Sequence, residues 1–198
     1  MAQAAILILA AGQSRRMRGA DKMLERVADL PLIRRQALVG LATGLPVWLA
    51  LPPDRPLRDV ALADLPVTIV RVGDADQGIS RSIIAGNAAI PADCGLLFWL
   101  ADLPEIETTD LGRILAAAQN APGVLIRATT SDGKPGHPVY FPAEFRGELA
   151  RLTGDDGARA VLKRHAAATI FVPLPDNRAL TDLDTPEDWA AWRVQQAR

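Results

Sequence analysis

The segment Ala4 to Leu9 (AAILIL) constrains this chain most. It is a continuous apolar run with β-branched members, and Gly12 and polar residues end it. A run that is apolar at every position, not at every second one, fits a strand buried on both faces of a parallel sheet. Similar runs recur at Val47 to Leu51, Val67 to Val72, Gly95 to Leu100, Val124 to Ala128 and Thr169 to Val172. Helical patterns lie between them: Pro31 to Leu41 with Pro at the first helical position, Arg55 to Ala63, Ser80 to Ala89 and Asp110 to Gln119. This alternation predicts an α/β fold, a three-layer α/β/α sandwich around a mainly parallel sheet. The 198 residues suit a single domain spanning 1–198.

One segment breaks the alternation. His137 to Phe141 (HPVYF) follows a Gly-Lys-Pro-Gly turn and is expected to form a short strand, a β excursion on the sheet edge. Short helices are expected over Ala143 to Leu152 and Asp156 to Arg164. A last helix, Pro186 to Gln195, has Thr185 as its cap and Pro186 at its first position. Its Trp189 and Trp192 stand three apart, as in a docked amphipathic helix.

Charge narrows the partners. Lys plus Arg is 22 and Asp plus Glu is 23, a net charge of −1, which excludes a broad basic face for nucleic acid. The single cysteine, Cys94, cannot form an intramolecular disulfide, and its setting before a buried strand suits a small core residue. A reducing compartment, the cytoplasm, is the expectation. The apolar start lacks a positive n-region, and no stretch reaches about 18 uninterrupted apolar residues, so neither a secretory signal nor a membrane partner is expected.

The first strand-to-helix connection lies at the carboxyl edge of such a sheet, where ligands bind. Here it reads LAAGQSRRMRGADKML, Leu9 to Leu24. Gly12 allows a close backbone approach, and Ala10, Ala11 and Ser14 are small. Arg15, Arg16, Arg18 and Lys22 place four positive charges within eight residues. Backbone amides with guanidinium groups suit a polyphosphate, although the loop is neither G-x-G-x-x-G nor G-x-x-x-x-G-K-[ST].

The whole segment resembles the opening signature of the molybdenum cofactor nucleotidyltransferases, the MobA-like NTP transferases of cytidylyltransferase type, L-A-A-G-x-S-x-R-M-G-x-x-K. Leu9, Ala10, Ala11, Gly12, Ser14, Arg16, Met17 and Lys22 match; Arg18 stands where the family has Gly. Gly78-Ile79-Ser80-Arg81-Ser82 with Gly86 resembles the family's nucleobase and ribose segment. Ala101-Asp102-Leu103-Pro104 resembles its metal motif, with Leu for Met. Gly136-His137-Pro138-Val139 resembles its acceptor-side turn, Gly154 to Arg159 its G-D-x-G-A-R motif, and Asp182 to Pro186 its D-I-D-T-P ending. The resemblance implies a Rossmann-like, nucleotide-diphospho-sugar-transferase-like fold and a Mg2+-dependent transfer of NMP from an NTP to a phosphate-bearing acceptor.

By that resemblance, Leu9, Ala10, Ala11, Gly12, Ser14, Arg16, Lys22, Ser80 and Ser82 bind the nucleotide. Arg16, Lys22 and Asp102 act in catalysis. Asp102, Asp182 and Asp184 hold the metal, and His137, Pro138 and Asp155 meet the acceptor. Mg2+ is held by one or two carboxylates plus phosphate oxygens and water, and Asp182 and Asp184, two apart, share one face of an extended segment. Asp184 has a rival role as the cap of the last helix. His165, in a Lys-Arg-His run ending a helix, is expected to be a solvated cation.

The resemblance implies CTP as donor and molybdopterin cofactor as acceptor, with a molybdoenzyme as a further partner. Ala11 in L-A-A-G goes with CTP, where L-A-G-G members use GTP. Similar proteins of the superfamily use sugar phosphates, methylerythritol phosphate, or phospholactate and phosphoenolpyruvate. A glycosyltransferase, or a non-catalytic module that delivers a cofactor to a molybdoenzyme, are the rival classes; pyrophosphate release separates the first from a nucleotidyltransferase, and tight cofactor binding without turnover would favour the second.

Overall fold

A computed structural model of the protein describes residues 4–154 and 157–196. Its centre is a seven-stranded sheet. Strand β1 (Ala4–Leu9) pairs in parallel with β4 (Val47–Leu51) on one side and β6 (Gly95–Leu100) on the other. β5 (Thr68–Arg71) continues in parallel beyond β4. Beyond β6 lie β8 (Pro135–Phe141), β7 (Ile126–Thr129) and β9 (Ile170–Pro173), giving the order β5-β4-β1-β6-β8-β7-β9. β8 is antiparallel to both neighbours, so it alone runs against the other six strands of this sheet. A two-stranded ribbon, β2 (Arg26–Val27) with β3 (Leu30–Pro31), follows the first loop.

The predicted alternation is present, and the sandwich is Rossmann-like. Helices α1 (Leu32–Leu41), α2 (Pro56–Leu62), α3 (Ile79–Ala89) and α4 (Thr108–Asn120) fall where the patterns put them, within a few residues. Ile6, Ile8, Leu97 and Trp99 face one core layer, and Leu7, Leu96 and Phe98 the other. This is the period-two arrangement of a sheet covered on both sides.

Three expectations need correction here. His137 to Phe141 does not lie on the sheet edge: β8 sits between β6 and β7. Val139, Tyr140 and Phe141 are all buried, as they must be on a strand covered on both faces. The edges belong to β5 and β9, and β9 exposes Ile170 and Phe171. The second concerns the short helices. Ala143 to Leu152 forms a 3-10 turn (Ala143–Phe145) and a single turn, α5 (Arg146–Leu149). α6 runs Arg159–Arg164, and the expected start at Asp156 falls outside the described residues. His165 is not free in solvent: its Nε2 stands 2.7 Å from Glu148 Oε1, and its ring packs edge-on against Phe145.

The last helix, α7 (Pro186–Gln196), is capped as predicted. Asp188 N–H donates to Thr185 Oγ1 at 3.1 Å, and Thr185 N–H donates to Asp188 Oδ2 at 2.9 Å. Trp189 and Trp192 are buried, and Trp192 Nε1 donates to Glu105. Cys94 is buried in the core layer that contains Phe98. Among the described residues no helix is long and apolar enough to cross a membrane.

Candidate active site

At the carboxyl ends of β1 and β6 a cleft of about 460 Å³ opens. Leu9 through Arg16, Lys22 and Met23 line it from the first loop; Ala75, Asp76, Gly78, Ile79 and Ser82 from α3 and its approach; Leu100, Asp102 and Asp184 from the far side. Its size suits a nucleotide. A Cβ at Gly12 would meet no atom within 4 Å. The glycine therefore leaves space on the cleft side, where a ligand's phosphates could approach the backbone. Gly78 has φ +116°, a conformation that favours glycine, and starts α3 without a side-chain cap. The first turn of α3 thus presents uncapped N–H groups to the cleft, an anion-binding arrangement.

The loop is held in shape by a residue the sequence reading missed. Arg58 of α2 is wholly buried. Its Nε and Nη2 grip Asp21 Oδ2 and Oδ1, both at 2.8 Å. Its Nη1 donates to Ala10 O at 2.5 Å and Nη2 to Gly12 O at 2.9 Å. In a planar trans peptide the C=O and the next N–H point opposite ways, so the N–H groups of Ala11 and Gln13 turn away from Arg58. Burial would raise the Asp21 carboxyl, but the hydrogen bond and charge of Arg58 outweigh it and hold it below its ordinary value.

The loop's two αL turns fall at Ser14 (φ 54°) and Arg18 (φ 53°). Arg18 thus adopts the left-handed conformation that a Gly in the family pattern takes at less cost. Its guanidinium lies outside the cleft, paired with Glu187 at 2.6 Å. Ser14 Oγ bonds Asp21 at 3.3 Å and accepts from Lys22 N–H at 3.2 Å. It braces the loop.

Lys22 is the centre of the charged group. Its Nζ lies 2.5 Å from Asp102 Oδ2 and 2.9 Å from Asp184 Oδ1. Arg16, largely exposed, reaches Asp184 Oδ2 at 2.5 Å. Thr185 caps α7, and Asp188 completes the cap by accepting from the Thr185 and Asp184 N–H groups, which leaves the Asp184 carboxylate to Lys22 and Arg16 in the cleft. Burial would lower the Lys22 amine, but Asp102 and Asp184 together keep it above its ordinary value. For Asp184, burial acts upward and is outweighed by Lys22 and Arg16, leaving it lowered. Asp182 is raised by burial first, then by the charges of Asp184 and Asp102.

Asp102 is fixed from two sides. Gln36 accepts from Trp99 Nε1 at 2.8 Å and donates to Leu103 O at 2.9 Å, which anchors the turn after β6. Leu183 N–H donates to Asp102 O at 3.3 Å, tying the turn to the Asp182–Asp184 segment. Asp102 Oδ1 is buried and has no hydrogen-bond partner. Such an oxygen is costly to leave unpaired, and it suits a hard cation. Among the described residues no three His, Cys, Asp or Glu side chains form a ready cage. Lys22 stands between Asp102 and Asp184, and Asp182 lies outside the cleft lining. One or two carboxylates are what Mg2+ or Mn2+ takes when phosphates and water supply the rest.

The remaining expected residues divide. Ser82 lines the cleft, whereas Ser80 is wholly buried with its Oγ unpartnered. His137 and Pro138 lie within β8, one strand over from the cleft. Asp155 falls outside the described residues.

The sequence profile of the MobA-like NTP transferase domain matches residues 6–169. The chain is similar to nicotine blue oxidoreductase of Paenarthrobacter nicotinovorans, at 28% identity over 91% of this chain and 92% of that protein. The crystal structure of Rv0371c from Mycobacterium tuberculosis H37Rv is similar at TM-score 0.84 and 26% identity, covering 96% of this chain and 97% of that one. The manganese complex of Rv0371c is similar at TM-score 0.79 and 24% identity, with the same coverage.

Proposed function

Since this chain belongs to the MobA-like NTP transferase family, a nucleotidyltransferase lineage, we propose that it moves CMP from CTP onto the phosphate of a small acceptor, molybdopterin cofactor, releasing pyrophosphate with Mg2+ bound. The observation that carries this reading is the meeting of Lys22, Asp102 and Asp184 at the mouth of a glycine-containing loop.

An oxygen of the acceptor phosphate attacks the α-phosphorus, and the bond from that phosphorus to the bridging β-phosphate oxygen breaks. No covalent enzyme intermediate is needed, so the protein's work is positioning and charge stabilisation. The N–H groups of Ala11 and Gln13 and the first turn of α3 cradle the triphosphate. Arg16 and Lys22 stabilise the charge that grows on it. A divalent cation, when bound by Asp102 and Asp184, neutralises phosphate charge and orients the leaving pyrophosphate. That Rv0371c, which shares the fold, has been solved as a manganese complex supports a divalent ion in this reading.

In the nucleotide-free protein the Lys22 ammonium occupies the two carboxylates a cation needs. Lys22→Ala is therefore expected to strengthen Mn2+ binding without nucleotide by about tenfold, since a competing charge a few ångströms away is removed, while lowering turnover. Electron paramagnetic resonance of free Mn2+ measures the first effect. Unchanged or weaker Mn2+ binding would contradict the role given to Lys22.

Ala11 is buried in the core layer beside Phe98 and lines the cleft. Its methyl narrows the floor on which a base lies, and steric exclusion rejects a larger base more strongly than a lost contact does. CTP is expected over GTP, with Ala11→Gly relaxing the preference. A matrix of four NTPs against phosphorylated acceptors, molybdopterin included, read as pyrophosphate release, tests both donor and acceptor. A GTP preference in the wild type would refute the cytidylyl assignment.

A further inference from the structure

On the reading proposed above, on which this inference rests, Asp102 holds a divalent cation. A carboxylate holds its cation best when the backbone beneath it is fixed. The peptide that follows Asp102 is held at both ends: Leu183 N–H donates to Asp102 O at 3.3 Å, and Leu103 N–H donates to Leu100 O at 3.3 Å. The next peptide joins Leu103 to Pro104, and proline has no N–H. That peptide can be held only through Leu103 O. Ile106 N–H reaches it at 3.4 Å from within the turn. Gln36 Nε2 of α1 reaches it at 2.9 Å and is, among the described residues, its partner from outside the turn. Arg35, the neighbour of Gln36, donates from Nη1 to Ile106 O at 3.0 Å. Helix α1 thus grips the turn at both Leu103 and Ile106.

The direction of the Gln36 amide is set from the sheet. A tryptophan Nε1 only donates, so the 2.8 Å contact from Trp99 turns Gln36 Oε1 to the indole and leaves Nε2 for Leu103 O. Gly40 stands one turn beyond Gln36 on α1, where a Cβ would lie 3.5 Å from Trp99 Cη2. The indole therefore lies along α1, with its ring edge at Gly40 and its N–H at Gln36. Gln36 and Trp99 are wholly buried. Hydrogen bonds there are stronger than in water, and a lost partner is not replaced. Asp102 Oδ1, one residue before Leu103, is buried without a partner.

We propose that Gln36 is a positioning residue for the metal: through Leu103 O, with its amide aligned by Trp99, it aims the Asp102 carboxylate at the cation. A partner for Trp99 alone would need only an acceptor. The amide also supplies a donor, and that donor goes to the peptide near Asp102 that lacks an N–H.

The test uses the full chain with α,β-methylene-CTP bound, and electron paramagnetic resonance to measure free Mn2+. The wild type should bind Mn2+ saturably. Gln36→Met keeps the length of the side chain and removes both hydrogen bonds. It should weaken Mn2+ binding about tenfold, the scale for losing a group that orients a metal ligand, and leave the affinity for the nucleotide analogue without metal within twofold. Trp99→Phe frees the amide to turn and should weaken Mn2+ binding about threefold, the scale of one neutral hydrogen bond; it carries the test should Gln36→Met not fold. Leu49→Ala lies in the same core layer but on β4, two strands from the turn. It should lower the thermal midpoint and leave Mn2+ binding within twofold. Mn2+ affinity unchanged in the Gln36 and Trp99 variants, or weakened equally in Leu49→Ala, overturns the role given to Gln36 and leaves the nucleotidyltransferase reading standing. Failure of the wild type to bind Mn2+ with the analogue present refutes the metal reading and this role together.

Discussion

Asp102→Asn is expected to lower turnover by about a hundredfold or more, the scale on which single electrostatic groups act in catalysis. The substitution keeps the shape of the side chain and an oxygen to accept from Lys22, but removes the charge. Its turn is anchored through Gln36, Trp99 and Leu183, none of which uses the Asp102 carboxylate. The fold and the thermal midpoint should therefore change little. The loss should fall on kcat, with the KM for CTP moving less, because nucleotide contacts on the loop and α3 remain. Steady-state kinetics under saturating Mg2+ check this. Near-wild-type turnover would remove Asp102 from the site.

Arg58→Ala should have the largest effect on stability. It leaves the half-buried Asp21 without its guanidinium partner and strips donors from Ala10 O and Gly12 O. Breaking one partner of a buried pair costs about 3–5 kcal/mol. For a chain of this length that lowers Tm by about 2–4 °C per kcal/mol, hence by roughly 6–20 °C. The double variant Arg58→Met with Asp21→Ala should regain part of the loss, because no lone charge stays behind, yet bind CTP poorly, because the loop carbonyls are released. Calorimetry with nucleotide titration separates the two effects. A single variant as stable as wild type would contradict the clamp.

What the sequence made legible was local. The AAILIL run and its successors are apolar at every position, and that alone predicts doubly covered strands. The glycine loop and the Asp after β6 follow from their place at strand ends. The central position of β8 was not legible, since neighbours in a sheet are set by pairing across distant segments. Its consecutive Val139, Tyr140 and Phe141 were the available hint, because an edge strand seldom needs three buried residues in a row. Arg58 was hidden for a different reason. On α2 the apolar Leu57 and Val60 face solvent while the arginine is buried, the reverse of what hydrophobic patterning expects. Its ion-pair partner, Asp21, is far off in the chain, so no spacing rule points to it. Asp184 stands open between cap and metal ligand in the sequence because a carboxylate just before the last helix suits either role; side-chain direction decides it. His165 read as a solvated end because Glu148 and Phe145 are distant in sequence.

The central claim is that the α-phosphate of a nucleoside triphosphate moves to an acceptor at this cleft. The direct measurement uses CTP labelled at the α-phosphorus in one reaction and at the γ-phosphorus in another, with molybdopterin as acceptor and Mg2+ present. The account predicts that the α-label appears in the acceptor product and the γ-label in pyrophosphate, in equal amounts, with both signals lost in Asp102→Asn. Release of the γ-label as orthophosphate, or acceptor turnover that needs a redox cofactor and leaves CTP intact, would contradict it.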